Sequence, residues 1–361
     1  MKRLGIIELL KLHLILIRIP FVLLGTFLCG RWSKRANNRP LTRVAADRIA
    51  YFILSRLSIR QLQAISGSSL NAFATWAEKS KVERIVDELG NDSRLMWVGS
   101  KYADYVVIYC HGGGFVGPLS DFQIEFWHRI QQALKTRGVE VGVAILQYST
   151  YPTAFPTQMN QLHSAIRRVT SMGVPPSKIC LAGDSAGGNI ILQLLGHILH
   201  PSSFLAPSIP NGDLANLAGI CLISPWTLPS SIRDEDDSFD LVPAGTLGHW
   251  MDTYLAATPE AHHIYVQHEI APQTWYDGLD KIAQRILITA GRKEVLYGSI
   301  VKLFEAMEKA HPDVEMDVQE NGVHCDVMFD IATKSKIPHS REEIIANWLH
   351  ASFELQVDDE L

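Results

Sequence analysis

A serine between glycines is the first feature of this sequence that suggests chemistry. Residues 183–187 read Gly-Asp-Ser-Ala-Gly and fit the pattern G-x-S-x-G. They lie between a short apolar run and a helical stretch, where a sharp strand-to-helix turn exposes a serine hydroxyl as a nucleophile. Gly183 and Gly187 would let neighbouring backbone pass close to Ser185. Ser185 is therefore the candidate nucleophile, although the same five residues also suit a purely structural turn.

A run of three glycines is the second feature. His111 and Gly112 are followed by Gly113 and Gly114, directly after the apolar run 105–110. The backbone N–H groups of such glycines can approach a cavity and stabilise the oxyanion of an acyl-transfer intermediate, by about 2.7–4 kcal/mol for one donor. The run predicts an oxyanion hole, and its structural alternative is a flexible glycine loop.

A serine nucleophile needs a general base, and the base needs a carboxylate that fixes its tautomer. After a serine on such a turn, the acid and then the histidine follow along the chain. Glu294 follows the apolar run 286–290, and His324 follows the run 314–319. The carboxyl ends of parallel strands meet at one edge of a sheet, so both side chains are expected on the same rim as Ser185. The alternative for Glu294 is a surface carboxylate that pairs with a neighbouring cation.

Other titratable residues fit these roles less well. Asp326 and Asp330 lie near His324 but would reverse the expected order of acid and base. Asp184 is expected to hydrogen-bond locally and to shape the turn. The histidines at 128, 163, 197, 200, 249, 262 and 263 fall in predicted helices or in a segment without strands. No HExxH motif or carboxylate–histidine cluster is present, so neither a metal nor a cofactor is expected.

The elements that must position these residues alternate regularly. Continuous apolar runs that suit strands buried on both faces lie at 105–110, 141–148, 179–182, 219–224 and 286–290, and further strand-like pieces lie at 82–86, 95–98 and 314–319. Helical patterns lie at 41–65, 122–134, 156–169, 186–200, 298–310 and 341–353. This alternation predicts a doubly wound α/β fold with a mostly parallel sheet. A segment at about 229–278 interrupts the alternation and is expected to form a helical cap over one end of the sheet.

Composition narrows the remaining possibilities. The chain has 361 residues, a net charge of -5 and no linker-like or repetitive tract, which favours one catalytic domain over residues 41–361. The near-neutral charge balance excludes a broad nucleic-acid-binding surface, so no nucleic-acid partner is expected. The five cysteines are scattered and odd in number, and free buried thiols are the favoured interpretation.

The first 40 residues form a separate hydrophobic segment with three interpretations. Residues 12–29 read LHLILIRIPFVLLGTFLC, and basic residues flank them on both sides. A membrane-spanning helix would carry Arg18 at a cost of about 2.5–3.5 kcal/mol at the bilayer centre. A cleaved signal peptide would need small residues before the cut, whereas a cap over the active site would tolerate both Arg18 and Pro20. Membrane association is favoured, with the endoplasmic reticulum or, failing association, the cytoplasm as the expected location.

Taken together, the motifs resemble those of the hormone-sensitive-lipase-like carboxylesterases, the α/β-hydrolase fold-3 family. The resemblance covers about residues 85 to 350 and includes HGGGF at 111–115, YSTYPTAFP at 148–156, GDSAGGN at 183–189, SPW at 224–226 and GVH at 322–324. It implies the α/β-hydrolase fold, Ser185 and His324 as catalytic residues, and an oxyanion hole formed by Gly113, Gly114 and Ala186. The sequence departs from the family at Glu294, where aspartate is usual.

The predicted activity is hydrolysis of a carboxylic ester of a small or lipophilic alcohol, through a Ser-His-Glu triad and an acyl-enzyme. The hydrophobic amino terminus and the segment around Glu294 are similar to those of fungal steryl acetyl hydrolases, which implies an acetylated lipophilic substrate in sterol or secondary metabolism. An amidase or formamidase with the same triad is the alternative. A non-catalytic ligand receptor is a further one, although such receptors tend to lack the histidine. The sequence does not determine the oligomeric state.

Overall fold

The apolar runs form one eight-stranded sheet. The structure is a computed structural model that describes residues 4–29, 39–203, 205, 216–227, 232, 236–237, 239–334 and 341–358. The strands are Ile85–Gly90 (β1), Ser93–Val98 (β2), Tyr105–Cys110 (β3), Val141–Gln147 (β4), Ile179–Asp184 (β5), Gly219–Ile223 (β6), Ile286–Gly291 (β7) and Val314–Gln319 (β8). Their order is β1-β2-β4-β3-β5-β6-β7-β8. β2 is antiparallel to both of its neighbours and the other pairs are parallel. The sheet is therefore mostly parallel, as the sequence predicts.

Helices cover both faces of this sheet. They are Ile6–Leu16 (α1), Ile19–Cys29 (α2), Leu41–Leu54 (α3), Ile59–Ser66 (α4), Ser69–Ser80 (α5), Asp121–Thr136 (α6), Thr157–Ser171 (α7), Ala186–Leu199 (α8), Ala244–Leu255 (α9), Tyr297–Ala310 (α10), Asp326–Ala332 (α11) and Arg341–Asp358 (α12). In β3, Val106 and Ile108 join one apolar cluster, whereas Val107 and Tyr109 join the cluster on the opposite face. Because successive strand residues point to opposite faces, a continuous apolar run is what a doubly covered strand requires.

The helix predicted over residues 41–65 is wrong in one respect, because the structure divides it into α3 and α4. Ser58 caps α4: its hydroxyl accepts a hydrogen bond from the Gln61 N–H at 3.3 Å, and the Gln61 side chain accepts one from the Ser58 N–H at 3.0 Å. This reciprocal pair is a capping box, which starts a new helix. The S-x-x-Q spacing was visible in the sequence, but the apolar periodicity that continues through it concealed the boundary.

The segment predicted as an insertion contains α9 and short 3₁₀ turns in its described part, and no strand there. At the amino terminus, α1 and α2 are separated by two residues. Within the described ranges, no helix combines the length and the apolar character needed to cross a membrane. Four of the cysteines, Cys110, Cys180, Cys221 and Cys325, are buried with free thiols, as the sequence predicts.

Candidate active site

Ser185 lies on the turn between β5 and α8. Its backbone adopts φ 49° and ψ -118°, in a region that residues with a side chain rarely occupy. Two main-chain hydrogen bonds hold the turn: the Ser185 N–H donates to the Ile223 carbonyl at 3.0 Å, and the Trp226 N–H donates to the Ser185 carbonyl at 2.9 Å. A Cβ atom at residue 187 would lie 1.9 Å from the Cys110 carbonyl oxygen, so glycine is required there.

The structure brings Ser185, His324 and Glu294 together. His324 Nε2 lies 2.9 Å from Ser185 Oγ, and His324 Nδ1 lies 2.8 Å from Glu294 Oε2. The other carboxylate oxygen, Oε1, accepts hydrogen bonds from the Gly291 N–H at 2.8 Å and the Ser224 hydroxyl at 3.0 Å. The Glu294 side chain has no exposed surface. Glu294 therefore lies beneath the imidazole, and the surface role considered for it is wrong.

Charges around His324 determine its proton affinity. Burial alone would lower the pKa of the imidazole, but the hydrogen bond and negative charge of Glu294, with further contributions from Asp240 and Asp184, raise it above its ordinary value. Opposite charges near a titratable group favour its ionised form. The site is thus arranged to stabilise a histidine that has accepted a proton.

Asp240 is a buried carboxylate that sequence reasoning missed. Its Oδ1 accepts the His324 N–H at 3.0 Å, and its Oδ2 accepts the Val295 N–H at 2.8 Å. One side chain thereby fixes the main chain at His324 and directly after Glu294. Burial raises the pKa of Asp240 to about 6. Its partners are backbone groups 55 and 84 positions away, so no motif or spacing in the sequence indicates the role.

Asp184 holds the glycine loop against the nucleophile turn. Its carboxylate accepts hydrogen bonds from the Gly112 N–H at 2.7 Å, from Gln123 Nε2 at 3.1 Å and from the Tyr109 hydroxyl. A Cβ atom at residue 112 would lie 2.3 Å from this carboxylate. Asp184 was expected to hydrogen-bond within the nucleophile turn. Its carboxylate instead joins that turn to Tyr109 in β3, to Gly112 and to Gln123 in α6.

The amide groups of Gly113, Gly114 and Ala186 are the donors that the predicted oxyanion hole requires. Among the described residues, the N–H groups of Gly113, Gly114 and Ala186 have no main-chain acceptor. Gly114 has φ +62°, and a Cβ atom there would lie 2.1 Å from the Trp250 ring. His111 stacks on Tyr148 with ring centroids 4.3 Å apart, and burial lowers its pKa to about 4, so its ring is neutral at physiological pH.

The rival carboxylates belong to a separate ion cluster. Arg43, fully buried, pairs with Asp47, Asp326 and Asp330, and Arg39 pairs with Asp47 and Asp326. These five residues join α3 to α11 and are called the arginine cluster below. Neither Asp326 nor Asp330 hydrogen-bonds to the His324 ring, so Glu294 is the acid that meets the imidazole.

A cavity of about 580 Å³ lies over Ser185 and His324. The glycine loop forms one side of it, and the other walls come from α3 to α5 and from the insertion, with apolar side chains such as Leu54, Leu62 and Trp250. In the part of the chain that the structure describes, no group of three or more His, Cys, Asp or Glu side chains is arranged to hold a metal ion. The arrangement therefore suits acyl transfer to a serine beside an apolar binding space.

Comparisons with known proteins identify the family of this chain. A sequence model of the alpha/beta hydrolase fold matches residues 107–328. Hormone-sensitive lipase from Bos taurus is 30% identical over 164 residues, which are 44% of this chain and 20% of the lipase. An acetyl-hydrolase from Streptomyces hygroscopicus is 26% identical over 223 residues, 58% of this chain and 64% of that protein.

Solved structures share the fold. An esterase in a structural analysis of two fungal esterases from Rhizomucor miehei superimposes with a TM-score of 0.65 at 18% identity, covering 88% of this chain and 98% of the esterase. The alignment with hormone-sensitive lipase spans a fifth of that enzyme's length, whereas the family model spans more than half of this chain. Because that span includes the glycine loop, the Ser185 turn and His324, the chain belongs to the α/β-hydrolase fold-3 family with the hormone-sensitive-lipase-like proteins.

Proposed function

We propose that this chain is a serine hydrolase of carboxylic esters, with Ser185 as nucleophile, His324 as general base and Glu294 as the acid that orients the base. The observation that carries the proposal is the continuous hydrogen-bonded series from Ser185 Oγ through both nitrogens of His324 to Glu294, with separations of 2.9 and 2.8 Å. These separations lie within the reach that proton transfer requires.

The reaction begins when Ser185 Oγ attacks the ester carbonyl and its proton passes to His324 Nε2. Glu294 accepts the hydrogen bond from Nδ1–H, which keeps Nε2 free to take that proton and stabilises the imidazolium that forms. The imidazolium then protonates the departing alkoxide, so the alcohol leaves and an acyl-serine remains. Water then attacks the acyl carbonyl and gives a proton to His324. When this second tetrahedral intermediate collapses, the bond from Ser185 Oγ to the acyl carbon breaks, His324 returns the proton to Oγ, and the carboxylic acid leaves.

The tetrahedral intermediates carry a negative oxygen that needs donors. The N–H groups of Gly113, Gly114 and Ala186, which have no main-chain acceptor among the described residues, are the proposed donors, each contributing about 2.7–4 kcal/mol of transition-state stabilisation. Asp184 holds the glycine loop in place through the Gly112 N–H. The loop is therefore preorganised before substrate binds, and little energy is spent on its reorientation during the reaction.

The cavity supports a lipophilic substrate of moderate size. Its volume of about 580 Å³ falls within the range of sites for small organic ligands, and its walls include Leu54, Leu62, Leu247 and Trp250. An acetate ester of a bulky apolar alcohol fits this lining, and the acetyl-hydrolase among the relatives supports the same acyl group. Hydrolysis of such an acetate ester to acetate and the free alcohol is accordingly the proposed specific reaction.

A chain-length series of p-nitrophenyl esters tests the proposal. Wild type is expected to hydrolyse the acetyl ester faster than the decanoyl ester, and Ser185→Ala is expected to lose about 10⁴–10⁶-fold in kcat. A preference for decanoyl would contradict the deacetylase assignment and leave the esterase assignment in place. Faster turnover of a matched amide would identify an amidase instead.

A fluorophosphonate probe tests the nucleophile itself. We expect stoichiometric labelling of wild type and no labelling of Ser185→Ala, because the probe reacts with an activated serine. Folded wild type that resists the probe and turns over no ester would contradict the enzyme assignment and favour a ligand receptor.

A further inference from the structure

An apolar surface on α1 and α2 faces solvent. Of the fourteen large apolar side chains that are exposed in the described part of the chain, ten lie between residues 6 and 28. Within each helix they recur at intervals of three and four residues, as in Ile7, Leu10, Leu14, Phe21 and Leu24. Residues at this spacing share a face of a helix. The solvent-facing side of α1 and α2 is therefore apolar, and we call it the N-terminal apolar face.

The opposite side of these helices packs on the protein. Leu12 and Thr26 are buried, at 6% and 1% exposure, whereas Ile7 and Phe21 are each 70% exposed. A helix that is apolar on all sides is stable where both sides are covered. Contiguous apolar surface of this kind marks an interaction site, because isolated exposed apolar residues are ordinary but clustered ones are not.

Charge identifies the kind of partner. The first 35 residues carry seven Lys and Arg and one acid, Glu8, whereas the other 326 residues carry 26 Lys and Arg and 37 acids. Lys11 and Arg18 are exposed on the same two helices. An apolar face within a basic segment complements a membrane surface that contains anionic lipids. A second copy of this chain would bring the same positive charges together, which opposes self-association.

The N-terminal apolar face is connected to the candidate active site. The Gln61 side chain on α4 donates a hydrogen bond to the Glu8 carbonyl of α1 at 2.8 Å, and Arg60 pairs with the Glu8 carboxylate at 3.0 Å. The next residue, Leu62, lines the cavity over Ser185, and it belongs to the same apolar cluster as Leu12. α4 thus contacts α1 through Arg60 and Gln61 and lines the substrate cavity through Leu62.

We infer that α1 and α2 dock this protein on an anionic bilayer and place the cavity beside the lipid phase, so that the esters it hydrolyses are dissolved in the membrane. The apolar side chains insert among the lipids while Lys11 and Arg18 contact the headgroups. This inference rests on the proposed esterase function for the identity of the substrate, but the docking itself does not depend on catalysis.

Flotation with vesicles tests the docking. Wild type is expected to float with vesicles of phosphatidylcholine and phosphatidylserine. The triple variant Leu10→Asp, Leu14→Asp, Phe21→Asp is expected to bind at least about 100-fold more weakly, because each change removes buried apolar area and adds charge. The matched control Tyr102→Asp, Ile270→Asp, Leu355→Asp alters exposed apolar residues elsewhere and is expected to float like wild type.

A second variant and a second substrate separate the causes. Lys11→Gln with Arg18→Gln is expected to weaken binding about 30-fold on the anionic vesicles, since each cation near such a surface contributes about 1 kcal/mol. The apolar triple variant is expected to keep wild-type hydrolysis of soluble p-nitrophenyl acetate and to lose hydrolysis of a long-chain alkyl acetate carried in the vesicles. A loss on both substrates would show damage to the catalytic site and would overturn the inference.

Three other results would also overturn it. These are wild type that stays in the aqueous fraction, an apolar triple variant that floats like wild type, and a wild-type dimer that the apolar changes convert to monomer without any effect on vesicles. Binding by Ser185→Ala protein is measured in parallel, so a failure of the esterase proposal is distinguishable from a failure of docking.

Discussion

Two groups of buried carboxylates flank His324, and they are organised in opposite ways. Among the described residues, Glu294 and Asp240 form no ion pair with Lys or Arg, and they accept hydrogen bonds from the imidazole, a hydroxyl and backbone N–H groups. In the arginine cluster, by contrast, two guanidinium groups form ion pairs with Asp47, Asp326 and Asp330. Glu294 and Asp240 are buried, and so are Asp47 and Asp326 of the arginine cluster, so burial does not distinguish the two groups.

The partners of the carboxylates distinguish the two groups. A carboxylate that faces neutral donors and an imidazole keeps its negative charge available to a proton that arrives there. One that is neutralised by arginine contributes little to a charge that develops elsewhere. We therefore expect Glu294 and Asp240 to affect the reaction, and the arginine cluster to affect the attachment of α3 to α11.

The largest expected effect is that of Glu294→Gln. Its amide nitrogen would oppose either His324 Nδ1–H or the donors that now bind Oε1, which disfavours the tautomer that accepts a proton from Ser185. We expect kcat to fall about 10³–10⁴-fold with little change in the free energy of unfolding. Glu320→Gln, a change at an exposed carboxylate that pairs with Arg292, is the control, and equal kcat values for the two variants would contradict the assignment of the acid.

Next in size is Arg43→Met, which leaves buried carboxylates without their cation. Removal of one partner from a buried ion pair is expected to lower the free energy of unfolding by about 3–5 kcal/mol. Chemical denaturation measures this loss. At a temperature where the variant is folded, kcat/KM is expected to stay close to wild type. A kcat loss comparable to that of Glu294→Gln would show that the two groups are not separate.

Asp240→Asn should have a smaller effect on rate together with a displaced pH profile. The general base must be neutral, so kcat/KM falls as pH drops through the pKa of His324, and the raised pKa places that decline above about 6.5. Loss of the Asp240 charge lowers this pKa, so the decline is expected to move to lower pH.

At its optimum pH, the kcat/KM of Asp240→Asn is expected to fall about 10–100-fold, because the hydrogen bonds that hold the main chain at His324 and Val295 are weakened. Asp237→Asn, in the same insertion but hydrogen-bonded to Tyr51 and the Ala244 N–H, serves as the control. An unchanged pH profile in Asp240→Asn would reduce Asp240 to a purely structural residue.

The smallest expected effect is that of Asp330→Asn. Three carboxylates face two arginines, and burial raises the pKa of Asp330 to about 7. The folded protein therefore retains this proton up to about pH 7, whereas an unfolded aspartate loses it near its ordinary pKa of about 3.9. Stability from this group is full below about pH 4 and declines as pH rises towards 7. Thermal melting from pH 5 to 8 should show a shallower loss of Tm in Asp330→Asn than in wild type.

The sequence predicted much of the fold because parallel strands buried on both faces leave a clear signal. The apolar run 105–110 becomes β3 with the expected bounds, and the turn at Ser185 follows from its glycines. Sequence reasoning located Glu294 and His324 because each follows a strand, and the carboxyl ends of parallel strands lie at one edge of the sheet. It could not place Asp240, because hydrogen bonds to backbone N–H groups depend on where the chain passes in space and impose no residue type on the partner. The boundary at Ser58 was missed for a different reason, since apolar periodicity outweighed a capping signal.

The backbone at the nucleophile has a consequence for the evolution of inactive relatives. Ser185, Ser224 and Cys325 all adopt positive φ, where a side chain costs about 1–3 kcal/mol per residue. Favourable interactions elsewhere in the fold must offset this conformational cost while Ser185 keeps its hydroxyl exposed to the cavity. A chain that no longer needs hydrolysis would gain stability from glycine at position 185, so thermal robustness and activity oppose each other at this one residue.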